Sequence, residues 1–236
     1  MTPLFQIKIC GITTPADALM ACQNGADAVG LNFYIKSSRF IKSADAESVR
    51  IQVDQFNAKA FQKVWKVGVF VNPTDAELLE AVDAFGLDAI QFHGNESREF
   101  VARSRKLVRE LEPDCQMIRA LSARLFSNSV SESSEMERVQ AEIRSWESVG
   151  IDAILLDAAA DGEFGGTGQT LDWRYLNNLI FTVPFILAGG LNPENVSMAI
   201  RLTGAQGVDV ASGVETEPGR KDNEKVRSFV RNTGWR

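Results

Sequence analysis

Eight short strand-like runs, each followed by an amphipathic helix-like segment, predict an α/β chain folded as a (β/α)8 TIM barrel, one single domain over residues 1–236. Two further observations point the same way. No GxGxxG turn follows the first run, as an open doubly wound sheet would favour, and no linker composition divides the chain.

In chain order, the first run covers residues 6–10 and leads into "TPADALMACQNG", which opens on Thr and Pro and closes on Gly, the expected start and stop of a helix. The second and third runs lie at 28–33 and 66–71. "PTDAELLEAVDAFG" follows the third with the same punctuation. The fourth and fifth occupy 88–92 and 116–120. From Ser122 to about Glu135 runs the longest connection, "SARLFSNSVSESSE", whose serine-rich composition predicts an exposed, mobile loop before the fifth main helix. Runs at 152–157, 184–188 and 206–210 complete the set. Between the sixth and seventh, "FGGTGQTLDW" lacks the Gly-Lys-Ser/Thr ending of a P-loop and is expected to be a flexible lid.

Alternate side chains of a strand point to opposite faces, which divides these runs into two sets. One parity carries Ile7 and Ile9; Val29, Leu31 and Phe33; Val67, Val69 and Val71; Ile90 and Phe92; Ile118; Ile154 and Leu156; Val208 and Val210. This apolar set is expected to face the helices. The other parity carries Lys8 and Cys10, Asn32, Gln91 and His93, Arg119, Asp157 and Asp209. Polar groups inside a barrel are costly unless paired or functional, so their convergence points to a site at the carboxyl ends of the strands.

Run seven leads into "LAGGLNPENV" and run eight into "VDVASGVET". Small-residue turns let backbone N–H groups approach an anion, and in barrels the loops after strands seven and eight are the usual phosphate cradle. A phosphate is therefore expected against Gly189, Gly190, Ser212 and Gly213.

Composition narrows the function classes. A net charge of −6 gives no basic footprint for nucleic acid, and no run of about eighteen apolar residues offers a membrane span. The opening "MTPLFQIKICG" lacks the features of a signal peptide, so a cytoplasmic location is expected. Three cysteines with no CxxC and one histidine, His93, favour neither a disulfide framework nor a metal site. No metal or organic cofactor is expected. The expected partner is a small phosphorylated substrate, and the chain is expected to be a monomer or homodimer.

The segments "KICGIT", "GADAVGLNFYIKSSR", "VGVFVN", "QFHGNE", "LLDA" followed by "GGTGQTLDW", "LAGGLNPENV" and "VDVASGVETEPGRKD" span residues 8–222 in order. Together they resemble the phosphoribosylanthranilate isomerase family of tryptophan biosynthesis. That resemblance implies an Amadori rearrangement of N-(5-phosphoribosyl)anthranilate to 1-(2-carboxyphenylamino)-1-deoxyribulose 5-phosphate. Ring opening needs an acid, and removal of the proton on the sugar's second carbon needs a base. Carried over by motif, Cys10 is the base and Asp157 the acid, while Arg39 holds the anthranilate carboxylate. A thiol with an ordinary pKa of about 8.5 serves as a base only if nearby charge supports its thiolate, a task expected of Lys8 or Arg39. Asp157 is expected to stay protonated through burial beside Leu155 and Leu156. His93 either donates within the site or anchors its loop. Asp209 either binds the substrate's amine or hydroxyls, or pairs with Arg119 or Lys8.

Phe40 and Leu171 stand where the family often has Tyr and Phe, changes that affect packing alone. Two alternatives accompany this reading: a related aminoaldose isomerase of histidine biosynthesis, and a non-catalytic phosphosugar-binding barrel. The first typically has an aspartate after strand one, where this chain has Cys10. The second is expected to have lost the acid or base.

Overall fold

The computed structural model describes residues 3–122, 132–158 and 173–236. Eight parallel strands close in chain order: β1 (Ile7–Cys10), β2 (Ala28–Asn32), β3 (Trp65–Phe70), β4 (Ala89–Phe92), β5 (Gln116–Ser122), β6 (Ala153–Asp157), β7 (Phe185–Ala188) and β8 (Gly207–Val210). Pairing of β8 with β1 completes the barrel. Each expected run matches one strand. Among the described residues there are seven α-helices, six in crossovers and the last after β8: α1 (Pro15–Gln23), α2 (Ser43–Asn57), α3 (Asp75–Phe85), α4 (Arg98–Leu111), α5 (Glu132–Glu147), α6 (Val196–Thr203) and α7 (Asn223–Asn232). After β6, a 3₁₀ turn at Trp173–Asn178 stands where the strand–helix alternation predicts another helix. A further 3₁₀ turn (Ser212–Val214) and a small hairpin, β9 (Glu215–Glu217) and β10 (Arg220–Lys221), separate β8 from α7. Among the described residues no helix is long and apolar enough to cross a membrane.

Helix signals in the sequence act as expected. Thr14 accepts from Asp17 N at the start of α1, and Thr74 with Glu77 forms a capping box on α3. The serine-rich connection is shortened at both ends, because β5 continues to Ser122 and α5 begins at Glu132. Its residues 123–131 lie outside the described residues, as do residues 159–172, which include most of the expected lid and Leu171.

The amino end of the barrel repeats one device four times. "GADAV", "GLDAI", "GIDAI" and "GAQGV" begin at Gly25, Gly86, Gly150 and Gly204, and each glycine holds a left-handed φ just past a helix. Two residues on, a side chain accepts an N–H at the start of the strand before. Asp27 accepts from Gln6 and Ile7, Asp88 from Lys66, Asp152 from Met117, and Gln206 from Phe185. The three carboxylates also pair with Arg236, Lys63 and Arg109 respectively. Backbone donors at the mouth of a closed barrel are thereby satisfied without a further strand.

Two apolar layers surround the strands. Ile7, Ile9, Val29, Leu31, Ile90, Phe92, Ile154, Leu156, Val208 and Val210 pack outward under the helices, as their parity predicts. Phe5, Ala28, Val67, Ala89, Ile118, Ala120, Ala153, Leu155, Ile186 and Ala188 form the inner plug. Two strands are therefore reversed relative to the sequence expectation: Val67 on β3 and Ile118 on β5 point inward. The register explains it, since Gly30 lies level with Val67 and Gln91 with Ile118. Barrel strands are buried on both faces, so apolar alternation alone does not say which face is which.

Candidate active site

Lys8 lies fully buried in the barrel, where an unpaired ammonium would be untenable. Its register neighbour on β8 is Asp209, and Lys8 Nζ donates to Asp209 Oδ2 at 3.0 Å and to Gln91 Oε1 at 2.9 Å. Burial works against the ammonium, but Asp209 and Cys10 outweigh it and hold Lys8 above the usual lysine value. Of the two outcomes foreseen for Asp209, the ion pair with Lys8 forms, and its other oxygen, Oδ1, is buried without a hydrogen-bond partner. Such an acceptor is costly until a donor reaches it. Gly30 on β2 makes the space for this arrangement: a Cβ there would lie 2.7 Å from Cys10 Sγ and 3.0 Å from Lys8 Cε.

Cys10 ends β1 and is partly exposed. Charges face it from four directions: Lys8 on its own strand, Asp209 on β8, Lys221 on β10 and Arg39 after β2. Burial pushes the thiol up, and Asp209 adds to the rise; Lys8 and Lys221 oppose it without prevailing. The cations are present as foreseen, but the carboxylate beside them and the loss of water count for more. Cys22 and Cys115 are buried, and burial raises both thiols to about 12.

Arg39 lies at the barrel mouth, its side chain packed on Gly11. Its Nε and Nη2 make a bidentate contact with Glu215, the shortest bond being 2.6 Å from Nη2. Glu215 also accepts from Lys221 Nζ at 2.6 Å and from Gly219 N at 3.2 Å. Burial opposes the ionised carboxyl, yet Arg39 and Lys221 hold Glu215 below the usual glutamate range. Burial dominates at Lys221, whose ammonium falls below the usual lysine value.

His93 and Asp157 face one another across β4 and β6, with Nε2 3.4 Å from Oδ2. Asn32 turns to its own loop, accepting from Tyr34 N and donating to Ser37. Arg119 does not join the interior. It lies on the helix side of β5, over the Trp146 ring at 4.4 Å, and its Nη1 donates to Glu96 at 2.5 Å. The parity reversal in β5 accounts for this.

On the same rim, Gly189 and Gly190 both hold positive φ after β7, while Ser212 and Gly213 open the 3₁₀ turn after β8. Gly213 packs so closely on the Leu191 carbonyl that no Cβ fits there, which draws the two loops together. Asn195 secures the first loop by donating to Gly190 O and accepting from Asn192 N.

Sequence alone gives Gln91 only an inward polar position, and gives Glu215, Lys221 and Gly30 no role. An inward glutamine and a mid-strand glycine were visible signals. Glu215 and Lys221 stand inside the quoted stretch "VETEPGRKD", but only the hairpin turn brings them together.

A closed barrel with a thiol and a carboxyl at inner strand ends, beside paired glycine-bearing loops after β7 and β8, has the build of the phosphosugar barrel enzymes. The family model described as N-(5'-phosphoribosyl)anthranilate (PRA) isomerase matches residues 7–232, and the chain belongs to that family. It is 37% identical over 232 residues to N-(5'-phosphoribosyl)anthranilate isomerase of Thermotoga maritima, covering 97% of this chain and 98% of the relative. It is also similar to the crystal structure of the Thermotoga maritima phosphoribosyl anthranilate isomerase (35% identity, TM-score 0.72, 98% and 99% covered). A third match is a phosphoribosyl anthranilate isomerase in complex with reduced 1-(o-carboxyphenylamino)-1-deoxyribulose 5-phosphate (33% identity, TM-score 0.70, 98% and 99% covered).

Proposed function

We propose that Cys10 and Asp157 divide the acid–base work of the isomerisation that family membership assigns to this chain in tryptophan biosynthesis. The substrate is N-(5'-phosphoribosyl)anthranilate. Asp157 gives its proton to the ribose ring oxygen as the bond from that oxygen to the first carbon breaks and the anilinic nitrogen's lone pair forms an iminium. Cys10, in the thiolate form that Lys8 and Lys221 support against burial and Asp209, then takes the proton from the second carbon, giving an enolamine. Ketonisation returns a proton to the first carbon and yields the amino-deoxyribulose product. The observation that carries this division is placement: the two groups end β1 and β6 on the interior face, above the buried Lys8–Asp209–Gln91 cluster and the apolar plug.

The remaining contacts follow from charge. Gly189, Gly190, Ser212 and Gly213 offer backbone N–H groups to the phosphate. Arg39, already steered by Glu215, presents its guanidinium to the anthranilate carboxylate. Asp209 Oδ1, the buried oxygen without a partner, accepts from the substrate's amine or a sugar hydroxyl. Lys8 neutralises Asp209, and His93 donates to Asp157. Cys10 at the end of β1 favours this substrate over the histidine-pathway aminoaldose.

The test follows loss of anthranilate fluorescence with freshly made phosphoribosylanthranilate. Turnover by wild type that collapses in Cys10→Ser and Asp157→Asn, with binding of a phosphorylated product analogue retained, supports both roles. Tight binding without wild-type turnover would replace the enzyme with a binding barrel.

A further inference from the structure

Between the base side and the acid side of the barrel runs an unbroken chain of polar contacts. Asp209 accepts from Lys8, and Lys8 donates to Gln91 Oε1 at 2.9 Å. Gln91 Nε2 lies 3.1 Å from His93 Nδ1, and His93 Nε2 faces Asp157 at 3.4 Å. Gln91 is 1% exposed, so its amide finds its partners among these side chains rather than in water.

The donor and acceptor roles along this chain follow from Lys8. An ammonium has donors only, so the atom of Gln91 that meets Lys8 must be the carbonyl oxygen. The opposite amide orientation would set two donors 2.9 Å apart. With the oxygen so fixed, the amide NH₂ points at His93, and Nδ1 must accept. A neutral imidazole that accepts at Nδ1 carries its proton on Nε2, which is the nitrogen aimed at Asp157.

We infer that Gln91 is a positioning residue that sets the tautomer of His93, so that Lys8, beside the base, dictates the hydrogen bond delivered to the acid. Gln91 hydrogen-bonds to Lys8 and His93, not to either reacting group. Its effect passes through His93, whose Nε2–H holds the Asp157 carboxyl in one orientation and supports the carboxylate left after ring opening. An imidazole held in the wrong tautomer by its third partner is a recognised way to lose turnover with the site geometry intact. The kinetic half of this inference rests on Asp157 as the acid; the tautomer itself does not.

His93 is the sole histidine of the chain, so a long-range proton–nitrogen NMR spectrum of the imidazole needs no assignment. Above the ring's titration, wild type should show a bare Nδ1 and a protonated Nε2. In Gln91→Glu, where an acceptor replaces the NH₂, Nδ1 should become protonated. Gln91→Leu should lower kcat about tenfold or more while KM stays within about twofold. A wild-type spectrum with the proton on Nδ1, or a bare Nδ1 in Gln91→Glu, overturns the inference whatever Asp157 does. Unchanged kcat in Gln91→Leu overturns its catalytic half. Full activity in Asp157→Asn would instead remove the acid assignment and leave the tautomer result standing.

Discussion

The two ends of this barrel are built on opposite plans. At the amino end one device occurs four times, a glycine-closed helix followed by Asp27, Asp88, Asp152 or Gln206 accepting one of the first two N–H groups of the preceding strand. At the carboxyl end the inner strand termini differ sharply, with Cys10 on β1, Asn32 on β2, Asp157 on β6 and Ala188 on β7. Repetition serves closure, which every strand needs alike. Variety serves chemistry, which needs each group once. Changes at the carboxyl end should therefore be read out in turnover, and changes at the amino end in stability.

The largest effect is expected at Cys10. Cys10→Ser should lower kcat by roughly 10²- to 10⁴-fold, or about 3–5 kcal/mol of barrier, with Tm nearly unchanged. Steady-state fluorescence kinetics beside a thermal melt would check it, and an equal loss of both would blur the contrast between the two ends.

Lys8 is where the contrast should break, because it pairs with Asp209 at the candidate site and is also fully buried. Lys8→Met leaves Asp209 buried without its cation, and denaturant titration should record a loss of about 3–5 kcal/mol. Wild-type stability in that variant would mean that Asp209 finds another partner.

A smaller effect concerns pH. The Cys10 thiol sits above its ordinary value because burial and Asp209 outweigh Lys8 and Lys221. Removing one of the opposing cations must raise it further. In Lys221→Met, alkylation of Cys10 followed by peptide mapping should move its midpoint to higher pH, and a move to lower pH would reverse the assigned balance. At the amino end, Lys63 is largely exposed where it pairs with Asp88. Lys63→Ala should therefore cost under about 1 kcal/mol in a melt and less at high salt, with kcat unaltered.

The contrast between the ends also governs what could be read from sequence. Strand positions were legible because turn residues and apolar runs mark them locally, so the run expected at 66–71 became β3 at Trp65–Phe70. Facing was legible where a charge interrupts the apolar run, as at Lys8, Asp157 and Asp209. It failed on β3, whose two faces are both apolar and buried, and on β5, where Arg119 is sheltered outside by Trp146 and Glu96. Cys10, Asp157 and Asp209 could be singled out as inward-facing because each ends or interrupts one strand. The pairing of Glu215 with Arg39 and Lys221 could not, since it depends on where a loop after β2 and a hairpin after β8 meet in space. The amino-end repeat was present in the sequence, but its meaning lies in bonds to strands some twenty to thirty-five residues away.

Two aspartates on the two ends of β6 give the most direct test, with kcat and Tm measured on the same preparations of Asp157→Asn and Asp152→Ala. Asp157 ends the strand inside the site, whereas Asp152 precedes it, accepting from Met117 N and pairing with Arg109. The account predicts that Asp157→Asn loses roughly 10²-fold or more in kcat at nearly wild-type Tm. It predicts that Asp152→Ala loses about 1–3 kcal/mol of stability with kcat within about twofold. Full turnover in Asp157→Asn, or lost turnover without lost stability in Asp152→Ala, would contradict it.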